Sequence, residues 1–250
     1  SRKLASALEK DGVKKGDVIA TLALNTYRHL EMYYGISGMG AITHTLNFRL
    51  HPEQAVYIIN HAEDKIIFVE LPFVPILEAL QENLKTVEKY VVLCEVNEMP
   101  ETTLKSVISY EEYIQDGDEN YSWPILEDDA ACALCYTSGT TGNPKGVLYS
   151  HKSNVIHAQA ALTAMTIKPD DTILMVVPLF HVLAWGIPYF GPMNGLKLVM
   201  PGMQMEGEPL FELIDQEDVT LAFGVPTIWM GLLAYCRDNN KILSSVKNTI

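Results

Sequence analysis

A chain of 250 residues, 48% hydrophobic and 20% charged, can bury a core of ordinary size and carries no compositional mark of disorder. Its net charge of −13 repels nucleic acid and anionic membrane surfaces, so a polyanionic ligand must be met by local dipoles and a few placed cations. No run of about 18 apolar residues argues for a membrane span, and Cys94, Cys132, Cys135 and Cys236, few and apolar in setting, fit the reducing cytoplasm better than a disulfide scaffold.

The chain opens at Ser1 with no initiator Met and no basic-then-apolar leader, and stops at Ile250 without a closing helix or polar tail, so truncation at both ends is expected. Short β-rich runs follow at 18–24, 65–70, 90–94, 131–136, 172–177, 196–200 and 221–225, alternating with helical patterns; this predicts an α/β fold of layered, mixed or parallel sheets flanked by helices. Thr26 precedes a helix over 29–39, Pro52 opens one over 53–62, and Ser150 or Ser153 stands before one over 155–165. Gly35, Gly38 and Gly40 in the first of these cost roughly 1 kcal/mol each relative to Ala, an expense that close approach to a neighbouring strand would offset. The acidic stretch 116–129, with Gly117 and Pro124, reads as a linker or surface excursion separating a first α/β unit, 1–125, from a second, 126–250. Cys132 and Cys135 have the spacing of a redox or zinc pair, but no second pair accompanies them and the segment reads as a buried strand.

The densest chemistry lies at Tyr136-Thr137-Ser138-Gly139-Thr140-Thr141-Gly142-Asn143-Pro144-Lys145-Gly146. A strand at 131–136 before it and a helix at 150–165 after it place it at a strand's carboxyl end, where open α/β sheets bind ligands. Gly139 and Gly142 permit positive φ and turn N–H groups inward as a nest for anionic oxygens. Thr137, Ser138, Thr140 and Thr141 add hydroxyls, and Lys145 is a mobile cation able to follow the β- and γ-phosphates of ATP as charge moves onto departing pyrophosphate. Lys145 lies six residues after Gly139, as in a Walker A loop. Pro144, however, stands at that loop's second glycine and has no N–H, and Gly146 stands where its magnesium-binding Ser or Thr would. An unliganded Gly-Thr loop is the remaining alternative, and two glycines, four hydroxyls and a lysine argue against it.

This loop resembles the signature of the adenylate-forming superfamily of acyl-CoA synthetases, peptide-synthetase adenylation domains and beetle luciferases. The resemblance extends through LNFRLHPEQ at 46–54, PLFHVLAWG at 178–186 and FGVPT at 223–227, and is strongest to the medium- and long-chain fatty-acyl-CoA ligase branch, with relatives that act on methylthio-propionate-like acids. It implies the N-terminal part of a large domain, and a two-step reaction in which a carboxylate attacks Mg-ATP to give acyl-adenylate and pyrophosphate, then coenzyme A displaces AMP. No general base is needed, because the carboxylate is already a nucleophile at neutral pH; positioning and charge neutralisation suffice. The cofactor-binding set is then Thr137, Ser138, Gly139, Thr140, Thr141, Gly142 and Lys145, with Thr137 also facing the magnesium that arrives with ATP.

On the acyl side the resemblance sets His181 near the carboxylate and Trp185 as a gate-like indole; four residues apart, they share a face if a helix begins near His181. A core histidine and a packed Trp are the alternatives. Phe223, Gly224, Val225 and Pro226 form an expected second wall, where Gly224 leaves room for a ligand and Pro226 starts a helix. Trp229 and Met230 read as core, His151 as part of a helix cap, and Arg49 as half of a structural ion pair. His29, His44, His51, His61 and His157 lack metal-ligand spacing.

A family member would continue past Ile250 into a Tyr-Gly-x-Thr-Glu segment, a ribose-binding Asp and a mobile domain with a catalytic Lys. The 250 residues alone are therefore expected to bind nucleotide weakly and not to turn over. The expected function is a carboxylate–CoA ligase, with the acid's identity open; an adenylation domain loading a carrier protein and a non-catalytic nucleotide-binding module are the competing readings. A homo-oligomer is left open.

Overall fold

The computed structural model describes residues 1–137, 143–165 and 167–249. Two units divide them: residues 1–23 with 28–153, and residues 24–27 with 154–250. Residues 126–153 thus belong to the first unit, and the change comes 28 residues beyond the expected 125/126 step (153 − 125).

The first unit is built on a sheet ordered β5-β4-β3-β1-β2-β6-β7. Its strands are β1 (Val18–Leu22), β2 (Ile42–Thr45), β3 (Ile66–Val69), β4 (Lys89–Val92), β5 (Val107–Ser109), β6 (Ala131–Thr137) and β7 (Lys145–Ser150). All pairs are parallel except β6–β7. Successive side chains of β1, β3 and β4 feed opposite cores, which is why these strands read as continuous apolar runs. Ile19, Ile66, Phe68 and Val91 pack on one face with Leu4 and Leu8 of α1 (Arg2–Lys10) and Met32 and Ile36 of α2 (Tyr27–Gly38). Ala20, Ile67, Val69 and Val92 pack on the other with Ile58 and Ile59 of α3 (Pro52–Ala62) and Leu77 of α4 (Val74–Leu80).

The glycines of α2 do admit close neighbours, but not a strand. A Cβ on Gly35 would lie 2.7 Å from Leu4 of α1, and one on Gly38 would lie 2.7 Å from the Trp123 ring. Gly40, at φ +94°, would meet Leu126 at 2.9 Å. The acidic stretch after α5 (Tyr110–Gln115) is therefore a strap whose Trp123 and Leu126 lie against α2 and its exit.

The second unit has a parallel sheet ordered β11-β10-β8-β9, from β8 (Thr172–Met175), β9 (Lys197–Val199), β10 (Leu221–Phe223) and β11 (Asn248–Thr249). Helices α6 (His151–Met165), α7 (Ile187–Met193), α8 (Gly207–Gln216) and α9 (Pro226–Asp238) connect them. Leu174, Val199, Leu210, Ile214, Ala222 and Leu232 share its core. Among the described residues no helix is long and apolar enough to cross a membrane.

Asp171 pins the start of this sheet: its carboxylate accepts from the Thr220 hydroxyl at 2.8 Å, the Lys168 N–H at 2.9 Å and the Lys247 ammonium at 3.1 Å. Burial pushes this carboxyl up, but those three donors outweigh it and hold it below the usual carboxylate range. A depressed folded-state value gives stability that is complete above about pH 4 and is lost as pH falls through the lowered value. Asp171→Asn is expected to flatten the acid limb of a Tm-against-pH curve; an unchanged acid limb would contradict this role.

Candidate functional site

The Gly-Thr segment does not lead straight from strand to helix. β7 returns antiparallel along β6 before α6 begins, with Thr137 paired to Lys145, Tyr136 to Gly146 and Cys135 to Val147, so the segment closes a β-hairpin. Ser138, Gly139, Thr140, Thr141 and Gly142 lie outside the described residues. What the structure does place is the hairpin's root: Thr137 and Lys145 face each other, both exposed, and the Thr137 hydroxyl reaches the Lys145 carbonyl only at 3.5 Å. The expected cation and the first expected hydroxyl thus emerge together at the carboxyl end of β6, which is parallel to β2 and lies one strand in from the β7 edge.

Gly146 has a structural reason. A Cβ there would lie 3.0 Å from Leu134 and 3.2 Å from the ring of Tyr136, its cross-strand partner, so the glycine makes room for the phenol to lie across the hairpin. The Tyr136 hydroxyl is 2.6 Å from His61 Nδ1 on α3. Burial, with Asp64 and Tyr57 adding negative charge, pushes this phenol up to about 12, so it stays protonated and donates to the imidazole. The Tyr136 ring also leans on His44 of β2, with centroids 5.2 Å apart. His44 Nδ1 in turn lies 2.8 Å from Asp64 Oδ2, both side chains fully buried, while His44 Nε2 has no hydrogen-bond partner among the described residues. Sequence spacing gives no hint of this chain of contacts, because His44 and Asp64 are 20 residues apart on different elements.

Other expectations near the hairpin are corrected. The start of α6 is capped by Ser150 and Ser153, whose side chains and backbone N–H groups bond reciprocally at 3.0 and 3.1 Å; His151 is not the cap. Burial instead holds the His151 imidazole below its ordinary value. Arg49 makes no ion pair among the described residues and sets its guanidinium 5.5 Å from the Phe48 ring. Cys132 and Cys135 are buried, the former bonded to the Tyr149 carbonyl and the latter beside the Thr45 hydroxyl, each at 3.3 Å.

In the second unit, the segment after β8 reaches His181 and then makes a left-handed turn over Val182–Gly186. Val182, Leu183, Ala184 and Trp185 hold φ of +47°, +52°, +46° and +55°, and Gly186 follows at +82°. The right-handed helix expected from His181 begins only at Ile187, so the four-residue spacing does not put His181 and Trp185 on one helical face. Each left-handed non-glycine residue costs about 1–2 kcal/mol, and such strain persists only where surroundings enforce it. One such restraint is His157, whose Nε2 bonds the Trp185 carbonyl at 3.1 Å. His181 is exposed and Trp185 half-buried, which removes the core-histidine alternative.

The structure brings the second expected wall to this segment: the Phe223 carbonyl accepts from the Val176 and Val177 N–H groups at 3.2 and 3.0 Å. Pro226 does open α9, with Val225 as the exposed residue before it. A Cβ on Gly224 would lie 2.7 Å from the Trp229 indole, so the missing side chain makes room for that ring.

Comparison with known proteins fits this geometry. The chain is 47% identical to a 3-methylmercaptopropionyl-CoA ligase of Ruegeria pomeroyi, an alignment covering 100% of this chain and 47% of that protein. It is 46% identical to a medium-chain-fatty-acid–CoA ligase of Ectopseudomonas oleovorans, over 100% of this chain and 46% of that one. A crystal structure of a long-chain-fatty-acid-CoA ligase from Archaeoglobus fulgidus superposes with a TM-score of 0.86 at 25% identity, covering 99% of this chain and 48% of that chain. The chain spans about half the length of the curated relatives it matches. The family model described as AMP-binding enzyme matches residues 1–250, the whole length that carries the hairpin and the strained turn, and the chain belongs to that family.

Proposed function

We propose that the enzyme carrying this chain is an AMP-forming carboxylate–CoA ligase that activates a medium- or long-chain fatty acid. With Mg-ATP it forms acyl-adenylate and pyrophosphate, and coenzyme A then takes the acyl group as AMP leaves. The observation that carries this reading is the hairpin root, where Lys145 and Thr137 stand side by side, flanking in sequence Ser138, Gly139, Thr140, Thr141 and Gly142. Lys145 neutralises the β- and γ-phosphates as charge shifts to the leaving pyrophosphate, and the hydroxyls and the two glycines' N–H groups hold phosphate oxygens. Magnesium prefers oxygen ligands, and the Thr137 hydroxyl, exposed and only loosely held at 3.5 Å, fits that requirement. When bound, the ion neutralises phosphate charge; the chain's own share is to present that hydroxyl.

His181, Trp185, Phe223, Gly224, Val225 and Pro226 form the acyl side, with His181 oriented to the carboxylate and the Trp185 indole covering the acyl chain. Gly224 serves it indirectly, by seating Trp229. Four cysteines, few and buried in apolar surroundings, support a cytoplasmic location.

The relatives named above set the panel: 3-methylmercaptopropionate and straight-chain fatty acids of increasing length, offered with ATP and coenzyme A. Acid-dependent ATP–pyrophosphate exchange followed by CoA thioester is the expected result, with one acid preferred. Exchange with none of them, or transfer to a carrier protein in preference to coenzyme A, would overturn the proposal.

A further inference from the structure

Asn25 stands between β1 and α2 and is 4% exposed. Its side chain serves three backbone groups of one distant segment. Nδ2 donates to the Met175 carbonyl at 2.7 Å and the Val177 carbonyl at 2.8 Å, and Oδ1 accepts from the Leu179 N–H at 2.9 Å. The Asn25 carbonyl also accepts from the Gly202 N–H at 3.1 Å. Both amide donors and the acceptor are engaged, all within the second unit.

The place matters as much as the number. The β8–β9 ladder ends at the Leu174–Val199 pair, β8 itself ends at Met175, paired with Phe223, and after Met175 the chain runs on towards His181. On one side Phe223 accepts from Val176 and Val177. Val177 and Leu179 are fully buried, and Asn25 bonds the Met175 and Val177 carbonyls and the Leu179 N–H in that buried stretch. Asp lacks the donors, Leu lacks every polar atom, and Gln is one methylene too long for the same three distances.

We infer that Asn25 is a positioning residue for the acyl side of the site. It fixes the backbone path over 175–179, and that path sets where His181 and the left-handed turn carrying Trp185 begin. The inference rests on the reading that His181 and Trp185 line the acyl pocket. Asn25 touches no substrate; it acts through Leu179 and Val177.

The test uses the enzyme that carries this chain. Asn25→Asp keeps the acceptor for Leu179 but turns a carboxylate oxygen on two carbonyls, and Asn25→Ser withdraws the donors without adding charge. Each folded variant is expected to raise KM for the preferred acid roughly ten-fold while KM for ATP moves by less than about two-fold, because the bonds Asn25 makes among the described residues run to Met175, Val177, Leu179 and Gly202. A general loss of stability would lower Tm without that split. If Asn25→Asp does not fold, Asn25→Ser reads the same quantity; if neither folds, amide exchange at Leu179 in the wild type decides, with fast exchange contradicting the clamp. Unchanged KM for the acid, or parallel rises for acid and ATP, would overturn the inference. His181→Ala is measured beside them: if it leaves KM for the acid unchanged the acyl reading itself fails, whereas if it raises that KM and the Asn25 variants do not, only the role of Asn25 fails.

Discussion

Lys145→Ala is expected to slow acid-dependent ATP–pyrophosphate exchange by roughly 10²–10³-fold, the usual effect of removing one preorganised charge-stabilising group. The side chain leaves the first residue of β7 on an exposed edge, opposite Thr137, and takes no part in either core of the first unit. Stability should therefore stay within about 0.5 kcal/mol of wild type, and the loss should appear in kcat as well as in KM for ATP, because charge on the leaving pyrophosphate is larger in the transition state. Lys145→Arg should recover only part of the rate, since a planar fork cannot follow moving phosphates as a flexible ammonium does. Gly142→Val should fall further than Lys145→Ala, by denying the positive φ that the loop sequence demands. Wild-type exchange in both Lys145→Ala and Gly142→Val would sink the assignment of this segment to phosphate binding.

Most strands of the two sheets were legible in the residues themselves. Apolar runs marked β1, β3, β4, β6, β8, β9 and β10, because parallel strands covered on both faces need no polar alternation. The strands that escaped are short or polar. β2 reads Ile-Thr-His-Thr, and its buried polar side chains make sense only once Asp64 and the Cys135 thiol are seen beside them. β7 was hidden by the expectation that a phosphate loop opens directly onto a helix, although Val147 and Leu148 on its exposed edge already carried strand character. The left-handed turn at 182–185 contradicts local preference at every residue, so no pattern of Val, Leu, Ala and Trp could announce it. Asn25 and His61 were illegible for a different reason: their partners are hydrogen-bonding groups brought in by tertiary packing, at separations of 150 and 75 residues.

Asp64→Ala is expected to cost about 3–5 kcal/mol, a large share of the roughly 5–15 kcal/mol available to a domain. The carboxylate and the His44 imidazole are both fully buried and joined at 2.8 Å, so removing one partner leaves the other desolvated with nothing to answer it. Asp64→Asn preserves shape and an acceptor for the His44 Nδ1–H and should cost less, about 1–3 kcal/mol. Burial pushes the Asp64 carboxyl up, and the attraction of His44 only partly offsets it. A carboxyl raised in the folded state binds its proton more tightly there than in the unfolded chain. Its contribution is thus fully present below about pH 4 and is lost as pH rises through the raised value, a slope of opposite sign to that of Asp171. Urea midpoints across that range should show the slope in wild type and its absence in Asp64→Asn. The consequence reaches the hairpin, because the Tyr136 ring rests on His44 and lies across Gly146, one pair below Thr137 and Lys145. Asp64→Asn should therefore raise KM for ATP before it unfolds the protein; a variant as stable as wild type would show that the buried pair is not what holds the hairpin's root.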